Sequence, residues 1–151
     1  MANWTIITDD HVKAAGYGFV VDKARTASVG GVDPVDYEIG AAVARVRRCV
    51  AAGGNALDVD TAKVPMSLLS LSVHLVIWGL MMRIRMPMSE DQKEQRRIDE
   101  TELKAIATRS NAVPIEEPDE AAGSGEMSQP QPSPVVLGRT RYFTHQTEDG
   151  I

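Results

Sequence analysis

VPMSLLSLSVHLVIWGLMMRIR, residues Val64 to Arg85, is the longest apolar run of the chain, and no charge falls between Lys63 and Arg83. Pro65 stands where a first helical turn tolerates proline, and Leu and Met, both strong helix formers, dominate the residues after it. Apolar residues occur all the way round the helix rather than on one stripe, so most of its sides are buried, in a core or in a bilayer. About twenty uncharged residues can span a bilayer. Ser67, Ser70, Ser72 and His74 argue against that environment, because polar groups in hydrocarbon are costly unless partnered. Trp78 near the middle is no aromatic belt. The run is read as the buried helix of a bundle, with a single membrane span as the alternative.

On its N-terminal side, Asp33-Pro34 is a helix entry, an N-cap followed by proline at the first helical position. Val35, Ile39, Val43, Val46 and Val50 then recur on one helical face, Arg45, Arg47 and Arg48 take the polar side, and Gly53-Gly54 closes the helix. Before it, Thr5-Ile6-Ile7 reads as a short extended piece, and Thr8 with Asp9 and Asp10 starts a helix. Gly16-Tyr17-Gly18 is expected to stop that helix early, leaving Phe19, Val20 and Val21 in a strand-like or irregular packed segment. On the C-terminal side Pro87 is expected to end the apolar helix, and Ser89 with Gln92 forms a capping-box start for the next. Residues 89–109 are densely charged, with Ile98, Leu103, Ile106 and some alanines to bury.

Residues 110–134 form an acidic stretch rich in Pro, Ser and Gly, read as a linker that cannot bury enough apolar surface to order itself. Its acids, Glu116, Glu117, Asp119, Glu120 and Glu126, account for the net charge of −5, so the remainder is neutral and offers no basic field for nucleic acid. Residues 135–151 recover β-branched and aromatic content. Val135, Val136, Arg139, Arg141, Tyr142 and Phe143 have the chemistry of interface anchors on an extended docking arm. The expected architecture is mainly α: a small bundle over 1–109, with a short N-terminal helix plus three longer helices, the linker over 110–134 and the arm over 135–151.

No catalytic or cofactor pattern stands out. Ser70 lies one turn before His74, but no orienting acid or oxyanion donor is evident, and a core histidine bonded to Ser70 or a neighbour is the expectation. His11, His74, His145 and Cys49 lack metal-ligand spacing, and Asp58-x-Asp60 lacks the rest of a calcium loop. Gly16-x-Gly18 lacks the third glycine of a dinucleotide fingerprint. Ser72 and Gly79 are expected to let helices approach closely. The lone Cys49 permits no internal disulfide and fits a reducing setting, and the first residues lack the pattern of a signal peptide. No enzyme, cofactor or metal is expected.

The order of these features resembles the small helical head–tail connector (adaptor, or head-completion) proteins of tailed bacteriophages. The likeness runs over about residues 5–109: the Thr8-Asp9-Asp10 start, the Asp33-Pro34 helix with Val/Ala/Arg periodicity, the apolar helix ending LMMRIR, then the Ser89-Glu90-Asp91 helix. The tail, rich in Pro and Arg, matches more loosely. The resemblance implies a homo-oligomeric ring, commonly a dodecamer, at the portal–tail junction of a virion, assembled in the host cytoplasm. Its implied partners are the portal protein and a tail or stopper protein, with DNA passing through without specific binding and no membrane contact. Val135–Phe143 would be the segment that reaches a partner, and Arg45, Arg47 and Arg48 would face the channel or a neighbouring subunit. A small non-viral helical adaptor with a peptide-like tail is the alternative.

Overall fold

The computed structural model describes residues 3–109 and 115–118, and the chain is mainly helical. Strand β1 (Trp4–Ile6) leads into α1 (Asp9–Val12), one wide turn over Lys13–Tyr17, and α2 (Gly18–Ala27). Then come α3 (Pro34–Ala52), strand β2 (Lys63–Pro65), a single 3-10 turn (Met66–Leu68), α4 (Leu69–Arg83) and α5 (Glu90–Ala107).

The apolar run supplies the bundle's most buried helix, but it begins later than expected. Val64 and Pro65 belong to β2, which pairs antiparallel with β1 in the register Trp4↔Pro65, Thr5↔Val64, Ile6↔Lys63. Met66 N–H donates to Asn3 C=O, so by the alternation of an antiparallel ladder Trp4/Pro65 is the pair without mutual hydrogen bonds. A proline costs nothing there. From Leu69 onward α4 buries Leu71, Val73, Val76, Ile77, Trp78, Leu80 and Met81, and it packs on α1, α2, α3 and α5. By length and hydropathy Met66–Arg83 could cross a bilayer, and half of it lies inside the bundle. The helix ends at Arg83, before Pro87, in a Schellman turn: Met86 N–H reaches Met81 C=O and Arg85 N–H reaches Met82 C=O. Arg85 takes the left-handed position at φ 51°.

Helix α3 starts as its sequence indicates. Asp33 Oδ1 accepts the Val35 N–H at 2.8 Å, and Val35, Val43, Val46 and Val50 are buried while Ile39 is half-buried. Ser89 and Gln92 form the expected capping box on α5.

Two expectations are corrected. The N-terminal helix is short, as expected, with α1 ending at Val12 and Gly16 breaking the helical path, but the residues after it are not strand-like. That glycine takes φ 88°, the chain makes one wide turn, and α2 carries Val20, Val21 and Ala24 into the core as a helix rather than a strand. On α5 the buried residues are Asp99, Leu103 and Ile106, whereas Ile98 is 46% exposed. Residues spaced four and three share a helix face, and Ile98 is one residue off it. The linker is also pinned at one point: Ile115 packs against the core, and Glu116 takes the Ser67 N–H and hydroxyl on its two carboxylate oxygens at 3.1 and 2.8 Å.

Candidate functional site

The three arginines of α3 do not form one surface. Successive helical residues are separated by about 100°, so Arg45 turns toward α5 and Arg47 toward the 55–63 connection. Arg45 comes within 4.0 Å of Glu100, which also pairs with Arg96 at 3.2 Å. Arg47 is half-buried over the Trp4 ring and donates to the main-chain carbonyls of Asp58, Asp60 and Lys63 at 2.7–2.9 Å. A guanidinium can serve three acceptors at once because its donors fan out in one plane. Arg47 therefore holds the chain's own connection in place. Arg48 is exposed and has no ion pair among the described residues. The arm residues Val135, Val136, Arg139, Arg141, Tyr142 and Phe143 lie outside the described residues.

Of the two partners expected for His74, Ser70 or a packed neighbour, the neighbour is the one found. His74 Nδ1 lies 3.2 Å from Asp99 Oδ2, and no hydrogen bond joins it to Ser70 among the described residues. Asp99 also accepts from the Trp78 indole N–H at 3.3 Å and the Gln95 amide at 2.9 Å. The buried carboxylate thus ties α5 to α4 with both oxygens occupied. An acid does stand beside His74, and its hydrogen bonds tie the two helices together; Ser70 has no hydrogen bond to the pair among the described residues. The signal was the spacing Asp99–Leu103–Ile106, which puts the acid on the buried face.

Gly79 acts as expected of a small residue at a helix crossing. A side chain there would collide with the Glu38 carboxylate of α3, which lies across α4 and pairs with Arg83 at 3.2 Å. Ser72, fully buried, donates to the Leu68 carbonyl within its own helix. In the 55–63 connection Asp58 is buried: one oxygen accepts the Asp60 N–H at 2.8 Å, Lys63 Nζ stands 3.8 Å away, and Oδ2 has no hydrogen-bond partner among the described residues. No cluster of three His, Cys, Asp or Glu side chains suits a metal among the described residues.

At the N-terminal face, Asp9 joins Lys13 at 3.0 Å and Arg25 at 3.3 Å. The Lys13 hydrogen bond, with help from Arg25, lowers the Asp9 carboxyl below its ordinary 3.8, and Asp9 in turn raises Lys13. Arg25 is raised mainly by Asp33. On α5 the Arg97 hydrogen bond lowers Glu94.

Two surface features remain available for partners. A cleft of about 440 Å³ opens between the chain leaving β1, residues 61–62 and the first half of α3; it is lined mainly by Ile6, Ile7, Ile39 and Val43, with Asp9 and Asp36 also bordering it. On another side, exposed apolar residues gather around Arg83. Val29 and Val32 share a hollow with it, Tyr37 lies beneath its guanidinium at 5.0 Å, and Met82 precedes it in the chain.

The fold is that of a small, mainly helical protein. No protein-family model, curated protein or solved structure matches the chain.

Proposed function

We propose that this chain is a non-enzymatic structural subunit of a homo-oligomeric ring that joins head to tail at the portal vertex of a tailed-phage virion. In this reading the helices form the ring wall around the DNA channel, and the C-terminal arm engages the portal, a tail or stopper protein, or a neighbouring subunit. The supporting observation is the apolar collar around Arg83. Val29 is 99% exposed, Val32 67% and Tyr37 58% beside Arg83, and Met82, the residue before it, is 60% exposed. Exposed apolar side chains gathered on one side in this way favour a surface made to be covered. In a ring the same patch would meet a different surface of the next subunit, which is how head-to-tail contacts close into a cycle.

Sedimentation of the full chain tests the ring. Association that Val29→Glu with Met82→Glu abolishes, while helical circular dichroism is unchanged, is the expected result. A chain that stays monomeric at every concentration, alone and with a portal protein, overturns it. Deleting residues 135–151 is expected to leave helical content intact and to prevent incorporation into particles. Normal incorporation of that truncated chain removes the arm from the mechanism.

A further inference from the structure

We propose that the cleft beside β1 is the resting site of this chain's own Val135–Phe143 segment. The cleft presents aliphatic walls, and its floor is low because Gly40 has no side chain; a Cβ there would meet nothing within 4 Å. Its acidic border is only partly neutralised. Asp9 already holds Lys13 and Arg25, but Asp36, exposed in the first turn of α3, has no ion pair among the described residues. The chemistry that fits is a short apolar segment carrying cations. VVLGRTRYF, residues 135–143, has that composition: aliphatic at one end, aromatic at the other, with Arg139 and Arg141 between. Residues 119–134 offer Met127 as their one large apolar side chain and no cation.

The position of the chain supports the same occupant. The Glu116 carbonyl accepts the Trp4 indole N–H at 3.0 Å, and the Glu117 carbonyl accepts from the Asn3 amide at 3.3 Å. Pro118 is thereby left at the start of β1, whose far end at Ile6 opens on the cleft about 7 Å along the strand. Sixteen residues, the number from 119 to 134, correspond to a root-mean-square reach of about 20–24 Å by random-coil statistics. That is enough to return to the cleft, and it holds the segment near it at an effective concentration in the millimolar range. The contact concerns the free chain, where the arm waits before meeting any partner, so it stands or falls separately from the ring.

The test uses the full-length chain with p-benzoylphenylalanine in place of Phe143, irradiated at a dilution where sedimentation reports single chains. Mapping by mass spectrometry is expected to place the cross-links within one chain, on residues 6–9, 36–44 or 61–62. Gly40→Leu fills the floor at an open helical position and is expected to cut their yield at least fivefold with unchanged circular dichroism. Asp36→Arg is expected to lower the yield as well, and adding Arg139→Asp to restore it. Cross-links elsewhere on the chain, cross-links between chains, or yields indifferent to both Gly40→Leu and Asp36→Arg overturn the proposal. Particle incorporation, measured separately, bears on the ring and not on this contact.

Discussion

Asp99 is buried on a helix that is charged on almost every other face, and its burial is tolerable because three donors converge on it. Asp99→Ala would leave the Trp78 indole and the His74 ring facing a cavity, at a cost of about 2–3 kcal/mol. Urea unfolding monitored by circular dichroism measures this, and Asp99→Asn is expected to recover part of the loss. Arg85 presents the opposite situation. Its left-handed backbone is required by the Schellman turn, yet glycine adopts that conformation without the Cβ penalty. Arg85→Gly is therefore expected to raise stability by about 0.5–1 kcal/mol, read as a higher urea midpoint at unchanged slope. The two residues show what sequence can disclose at this scale. The 99–103–106 spacing was readable and pointed to the buried face, but the donors come from α4, twenty-one and twenty-five residues earlier, and from Gln95 on α5 itself. Only packing brings those together.

Between elements, the decisive contacts are places where one backbone comes very close to another. Gly53, the residue that ends α3, lies against the Ile106 carbonyl of α5, so a methyl group there would strike main chain that cannot move aside. Gly53→Ala is expected to cost about 1–3 kcal/mol through this overpacking, although its φ of −70° suits alanine. Thermal unfolding tests the difference. Arg47 plays a comparable part for the 55–63 connection. Arg47→Lys keeps the charge but cannot serve three carbonyls in one plane, and a loss of about 2 kcal/mol is expected, against no more than about 0.5 for Arg48→Ala. A double comparison in urea separates them. Of the three arginines on the polar side of α3, Arg45 turns to α5, Arg47 to the 55–63 connection and Arg48 to solvent, a division that only packing sets. Likewise, the glycines do stop the first helix, but Phe19, Val20 and Val21, read as strand-like, lie in a new helix that starts at Gly18.

For the molecule as a whole, Glu116 joins the acidic stretch to the body by taking the first free donors at the start of the 3-10 turn and α4. Glu116→Ala is expected to leave the global unfolding midpoint nearly unchanged while amide exchange speeds up at Ser67, as measured by hydrogen-exchange mass spectrometry. Composition alone could not single out residues 115–118 from the polar text around them, because their order comes from partners about fifty to one hundred and fifteen positions away in sequence. The chain's own residues did determine its class. Valine periodicity in α3, the caps at Asp33 and Ser89, and an apolar run too broad for one stripe require a helical bundle, since local hydrogen bonding and burial agree there. Tertiary contacts set where the apolar run from Val64 to Arg85 begins as a helix. Pairing with β1 draws Val64 and Pro65 into a strand, because the ladder of a partner strand outweighs the weak helical preference of the two residues. From Leu69 onward the run is the helix on which the others pack, and that much is written in its own residues.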